Sequence, residues 1–383
     1  MQFWAFPADI QTMEREGVQP VSVRAQAAVV GPFALAGAAM IASRLGVSPS
    51  VGFDVAWTSA AAGAVAGTWV ARRRAAEPHR SRWTLWALAC ACWLVGQLAW
   101  DLYGVIGFPQ SPNLADLGWW AFAVLAMVSV FRIGHDSRAK LAIAGLETGP
   151  LLAAAVALTT AQLWGPATTS TLALAPKLSA LAYPALYVSA TVLMLDALVA
   201  GGLRPVKAPG VRLVLTGIAA QALAFTLWCP QLLDRTYNPG HTWLDRLWVL
   251  GLAAISVGGL LAARKPEEVA APAEPTHRSA ILPAAMLVVL LLALVQARLT
   301  HAEIVVKILL EAGLVLCSGA LVARSALLGR RLRTMLVRER AALARLAERE
   351  AELERLNHQL TEDSRRDPLT GVKNRRALAG DLP

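Results

Sequence analysis

The chain has 383 residues, of which 56% are hydrophobic and 16% charged, against about 25% charged in an ordinary soluble domain. With a mean hydropathy of +0.49, this excludes a water-soluble globular protein and makes a lipid bilayer the first partner. The formal charge of +10 needs no nucleic acid to explain it: from Arg324 to Arg376 there are 14 basic and 8 acidic residues, and the juxtamembrane part of that stretch suits anionic headgroups.

The first 24 residues, "MQFWAFPADIQTMEREGVQPVSVR", carry acids where a signal peptide has a basic region, and they lack its apolar core and cleavage pattern. A short cytoplasmic segment is expected over 1–24. Apolar runs long enough to cross about 30 Å of hydrocarbon then recur, separated by polar or Pro/Gly-containing turns. About ten spans are predicted, centred near Leu35, Ala62, Val95, Val124, Val156, Ser189, Ala219, Val257, Leu290 and Leu314. Cys90, Cys92, Cys229 and Cys317 sit in or beside these runs and read as small buried residues, with no zinc site or disulfide framework.

Lys and Arg orient the spans, because cytoplasmic loops hold the excess. Arg72, Arg73, Arg74, Arg80 and Arg82 fall between spans two and three, and Arg132, Arg138 and Lys140 between four and five. Arg204, Lys207 and Arg212 follow span six; Arg264, Lys265 and Arg278 follow span eight. The alternate loops hold only Arg44, Lys177, Arg235, Arg246 and Arg298. Both termini are therefore expected in the cytoplasm.

Two hairpins on the opposite side share a pattern. "WDLYGVIGFPQSPNLADLGWW" and "LLDRTYNPGHTWLDRLW" each place an Asp before a Tyr (Asp101 and Tyr103; Asp234 and Tyr237), then a Pro-containing loop, then Asp-x-x-Trp (Asp116 and Trp119; Asp245 and Trp248). A four-span duplication would explain the match. One reading gathers Asp101, Tyr103, Asp116, Trp119, Trp120, Tyr237, His241, Asp245 and His301 around a pocket for an unknown signal ligand. The other makes the aromatics an interfacial belt and the acids solvated helix caps. Deeper in the spans lie Glu147, Asp196, Lys307 and Glu311, where a charge costs about 2.5 to 3.5 kcal/mol on insertion scales. Lys307 and Glu311 stand i, i+4 and are expected to pair.

Residues 325–366 contain no proline and one glycine, Gly329, and are rich in strong helix formers. A heptad register places Leu336 and Leu343 at a, and Leu332, Leu346, Leu353 and Leu360 at d. Glu339 interrupts the d series; Glu350 and Asn357 take the remaining a positions. Leu at d favours a parallel two-stranded coil, and a buried Asn at a fixes register at a cost in stability. A parallel homodimer with a marginal seam is expected, as suits a signalling lever.

Directly after this stretch, "RRDPLTGVKNRRAL" resembles the opening segment of the GGDEF family, the diguanylate cyclases. Asp367, Leu369, Thr370, Gly371, Asn374, Arg375 and Arg376 match its pattern Asp-x-Leu-Thr-Gly-Leu-x-Asn-Arg-Arg, with Val372 as the departure. Pro368 ends the preceding helix, Gly371 permits the turn, and Asn374 can cap a new helix. "PNLADLGWWAF", "LAYPALY" and "LDRLWVLG" loosely resemble the multi-span regions that precede such domains. The resemblance implies a domain in which two GTP molecules, one per protomer, are joined into cyclic di-GMP, with magnesium neutralising phosphate charge. It implies that Asn374 contacts guanine. The family's Gly-Gly-(Asp/Glu)-Glu-Phe turn, metal carboxylates and phosphate-binding lysines are not among the 383 residues, so a fragment or truncated product is expected.

The expected fold is all-α: a membrane bundle over 25–324, a cytoplasmic coiled coil over 325–366, and the start of an α/β GGDEF domain over 367–383. A ten-span transporter with midplane ionisable groups is the alternative. A histidine kinase, with His358 of "NHQLTED" on the dimer helix, fits less well because Gln359 stands where an acid is expected.

Overall fold

A computed structural model describes residues 21–77, 79–131, 138–200, 209–264, 281–364 and 372. Among them the chain is helical, without strands. The helices are α1 (Val23–Ala42), α2 (Pro49–Arg74), α3 (His79–Ile106), α4 (Leu114–Phe131) and α5 (Arg138–Thr169), followed by α6 (Leu174–Ala200), α7 (Pro209–Leu233), α8 (Leu244–Arg264), α9 (Ile281–Leu299) and α10 (Ile304–Ser364). The Glu147 side chain, Asn374 and the segment 365–383 apart from Val372 lie outside the described residues.

Each of the ten expected span centres falls in its own helix. Among the described residues, eight of these helices are long and apolar enough to cross a membrane. Helix α4 is apolar over Leu114–Ser129, and α2 is diluted by Ala, Gly, Ser and the closing Arg72, Arg73 and Arg74. Those arginines complement the negative C-terminal end of the α2 dipole. Large apolar side chains lie exposed along α9 (Val288, Val289, Leu291, Leu292, Val295) and one face of α3 (Leu88, Val95, Leu98). In water such a surface would drive association; against acyl chains it is at rest.

Local chemistry sets the helix starts. Ser22 accepts the Ala25 N–H at the head of α1, and Pro49 takes the first turn of α2, where a missing N–H costs nothing. The main core joins α1 to α4 with α6, α7 and α8. Within it α8 packs against both α2 and α7, burying Leu252 and Ile255 completely.

Small residues bring these helices together. A Cβ on Gly217 of α7 would lie 2.5 Å from the Gly251 oxygen of α8, and one on Gly258 would lie 2.6 Å from the Gly210 oxygen. The two backbones therefore touch at two levels, the close packing that glycine permits within a bilayer. Equally close approaches join α2 to α8 at Gly67 and Gly259, and α3 to α4 at Gly96 and Gly118. Gly217→Ala is expected to destabilise the bundle by about 2 kcal/mol through overpacking, read as a lower thermal midpoint in detergent, while Gly149→Ala, whose Cβ meets nothing within 4 Å, should leave it nearly unchanged.

A second cluster joins α5, α9 and the start of α10 through Ala154, Ala157, Leu290, Ala297, Leu310 and Cys317. Here the expected ion pair is replaced by another: Glu311 binds Arg298 of α9 instead of Lys307. The guanidinium fork matches a carboxylate better than an ammonium does, and Lys preceding Glu is the weaker i, i+4 order. Glu303 accepts a hydrogen bond from the Trp164 indole at 2.7 Å. Asp196 is buried.

Residues from Val322 onward form a separate compact unit, described as helix to Ser364. Leu332, Leu336, Leu343, Leu346, Leu353 and Leu360 are all exposed on it, as is Asn357.

Candidate functional site

One end of the main bundle holds a cavity walled almost wholly by aromatic rings. Trp57 comes from the first half of α2, and Trp93, Gln97 and Trp100 from the second half of α3. Trp119 lies in the first turns of α4. Phe225 and Trp228 close α7, Tyr237 follows it, and Trp248 opens α8. Starts of even-numbered helices and ends of odd-numbered ones meet here, as up-and-down packing requires. The Arg72 to Arg82 cluster lies at the opposite ends of α2 and α3.

The rings stand steeply to one another. Trp248 meets Trp57 at 88° and 5.8 Å, Trp228 at 82° and 6.2 Å, and Tyr237 at 85° and 6.3 Å; Trp228 meets Tyr237 at 89°. Edge-to-face contacts of this kind place the positive ring edge on the negative face. The same rings line a common space. That space gives the centre of a water-sized sphere ≈30 Å³ of room, more than the 10–15 Å³ or so that one water needs.

Carboxylates stand one contact behind the wall. Asp101 accepts hydrogen bonds from Gln97 at 2.8 Å and from Thr58 of α2 at 2.5 Å. Asp245 accepts one from the Tyr237 hydroxyl at 2.8 Å, while its other oxygen takes the Thr242 N–H and hydroxyl at 3.0 and 3.1 Å. Asp54 lies beside Trp100 and Asp101, and its Oδ1 is buried with no hydrogen-bond donor among the described residues. Burial, reinforced by the Asp245 carboxylate, holds the Tyr237 phenol above its usual pKa, so it stays a neutral donor.

Asp116 repeats the Asp245 arrangement on α4. One oxygen accepts the Asn113 N–H at 2.7 Å and the other the Tyr183 hydroxyl of α6 at 2.5 Å. Asn113 in return accepts the Ala115 N–H, completing a reciprocal cap. Tyr183 stacks on Phe225 at 4.7 Å, tying this network to the cavity wall. Asp116 and Asp245 are thus helix caps, but only 6% and 0% exposed: the expectation of solvated caps is corrected.

The belt reading is corrected in the same way. Trp57, Trp93, Trp119, Trp228 and Trp248 are at most 8% exposed, so these rings fill the bundle interior. The expected pattern is also more repetitive than two hairpins. Asp54 and Trp57 form a third Asp-x-x-Trp at the start of α2, and all three tryptophans, i+3 from their acids and on the same helix face, line the cavity. Asp101 and Asp234 are not equivalent: the first bonds within the bundle, whereas the second lies exposed in the turn after α7.

The remaining site residues are scattered. Trp120 packs on Tyr183 at 5.9 Å outside the cavity wall, and Tyr103 meets Phe108 at 6.2 Å. His241 is exposed, with Nδ1 3.1 Å from the Pro239 oxygen, and His301 is exposed in a left-handed turn. Neither histidine reaches the cavity. Among the described residues no group of three or more His, Cys, Asp or Glu is placed to hold a metal ion. Set against known proteins, the chain matches no family model, no curated protein and no solved structure.

Proposed function

We propose that the chain is the sensing and dimeric transmission part of a membrane-bound diguanylate cyclase, seated in a bacterial inner membrane with both termini in the cytoplasm. The observation that carries the reading is the aromatic cavity at one end of a helical bundle, in a chain whose last helix continues for 61 residues, Ile304–Ser364, toward the segment that resembles the opening of a GGDEF domain. The Lys/Arg distribution supports a cavity end that faces outward and a cytoplasmic C-terminus.

The exposed leucine series on α10 supports a parallel homodimer, since a heptad stripe of this length buries its apolar surface only against a second helix. Two copies held in parallel would bring two nucleotide-loaded domains face to face, which the implied reaction needs. Magnesium and GTP belong in the family to motifs that the 383 residues do not contain, so Asn374 is the single residue assigned to the nucleotide.

The test is a cyclase assay on two proteins purified in detergent with GTP and magnesium. The 383-residue chain is expected to form no cyclic di-GMP, and the product of the gene read beyond the codon for Pro383 is expected to form it. Cyclic di-GMP from the 383 residues alone, or none from the longer product, would overturn the proposal. Substrate uptake by the chain in proteoliposomes would support the transporter instead.

A further inference from the structure

The geometry points to a ligand class for the cavity: a small organic cation, an alkylated ammonium group, seated against aromatic faces with Asp54, Asp101 and Asp245 supplying countercharge from behind the wall. This rests on the sensor reading above and deepens it.

Three features carry it. Eight aromatic residues line one space, Trp57, Trp228, Tyr237 and Trp248 among them, and a cation is attracted by each ring face it meets. The charge around them has one sign. Asp101 and Asp245 each hold a wall residue by a direct hydrogen bond, the Asp54 Oδ1 is buried and lacks a donor among the described residues, and the cavity lining contains no basic residue. Arg235 and Arg246, the basic residues nearest in sequence, are exposed. A neutral guest would leave this negative field uncompensated; a cation answers it.

Size and donor type narrow the class. The space is small, ≈30 Å³, so it suits a compact guest such as a methylated ammonium group. A bare metal ion prefers oxygen ligands in direct contact, but the wall is mostly aromatic, with the Gln97 amide and the Tyr237 hydroxyl as its side-chain oxygens, and no metal-holding group of acids occurs among the described residues. An alkylated cation can leave its hydration shell for ring faces, which a small hard ion does not readily do.

The rival is built into the same wall. The indole N–H groups of Trp119, Trp228 and Trp248 are buried without acceptors among the described residues, and an anion or a neutral acceptor would suit them. The experiment therefore compares charge types on the purified full chain in nanodiscs, following tryptophan fluorescence at constant ionic strength. Tetramethylammonium and choline are expected to give saturable changes. The uncharged choline isostere 3,3-dimethylbutan-1-ol and acetate are expected to bind at least tenfold more weakly.

Asp101→Asn is expected to weaken tetramethylammonium at least tenfold, with choline following. Trp228→Leu should abolish the response. Wild-type-like thermal midpoints identify folded variants, and Trp228→Phe, which keeps a ring, should retain binding within about threefold. Equal binding of the uncharged isostere, preferential binding of acetate, or no saturable response to either cation by folded wild-type chain would each overturn the assignment. Binding is read without any cyclase output. Cation binding in a gene product that makes no cyclic di-GMP would leave this site standing and remove the sensor reading; cyclase activity without cation binding would do the reverse.

Discussion

Trp248→Ala is expected to destabilise the bundle by roughly 3–5 kcal/mol, the range for deleting a large buried aromatic. The ring meets Trp57, Phe225, Trp228 and Tyr237 at centroid separations of 5.5 to 6.3 Å, so its removal leaves a void bordered by four aromatic residues from α2, α7 and the connection between α7 and α8. Backbone bonds hold the helix in place beneath it: Gln221 donates to the Trp248 oxygen at 2.9 Å, and Trp57 donates to the Asp245 oxygen at 3.0 Å. The void cannot easily collapse, which places the loss in the upper part of the range. A fall of roughly 10 °C in the thermal midpoint is expected, with Trp248→Phe losing less than half as much. A loss below about 1 kcal/mol would mean that the ring is not packed as described.

The second large effect is expected at Asp245→Ala, at about 2–4 kcal/mol. Two costs combine. The head of α8 loses the side-chain acceptor for Thr242, about 1 kcal/mol for a helix cap, and the buried Tyr237 hydroxyl is left without a partner, about 1–3 kcal/mol. The second cost is specific and can be isolated. Adding Tyr237→Phe removes the orphaned hydroxyl, so the double variant should be more stable than the two single losses predict together, by about 1 kcal/mol or more. Strict additivity in thermal or denaturant unfolding would show that the hydroxyl and the carboxylate do not depend on each other.

Much of the architecture was legible in the residues. Apolar run length placed all ten span centres in separate helices, because crossing a bilayer constrains length and composition strongly. The Asp-x-x-Trp pairs at Asp116 and Asp245 were visible as strings. Their third copy at Asp54 is present as a string too, but it lies in an alanine-rich helix with no matching loop before it. The depth of the tryptophans was not legible: a ring near the end of a span has the same sequence signature whether it faces lipid or the bundle interior. Trp93, Trp100, Phe225 and Trp228 become wall residues only once α3 and α7 are set beside α2 and α8. The Glu311 pairing also escaped, because i, i+4 spacing offers Lys307 within one helix, whereas Arg298 reaches Glu311 across a tight turn.

The glycine contacts leave no side-chain layer between α7 and α8, between α2 and α8, or between α3 and α4. Trp57, Phe225, Trp228 and Trp248 stand on α2, α7 and α8, and Trp93, Gln97, Trp100 and Trp119 on α3 and α4. Each half of the cavity wall is therefore carried by helices that meet backbone to backbone, and the Thr58 to Asp101 bond links the two halves. A side chain in place of any of these glycines would shift wall rings along with the backbone.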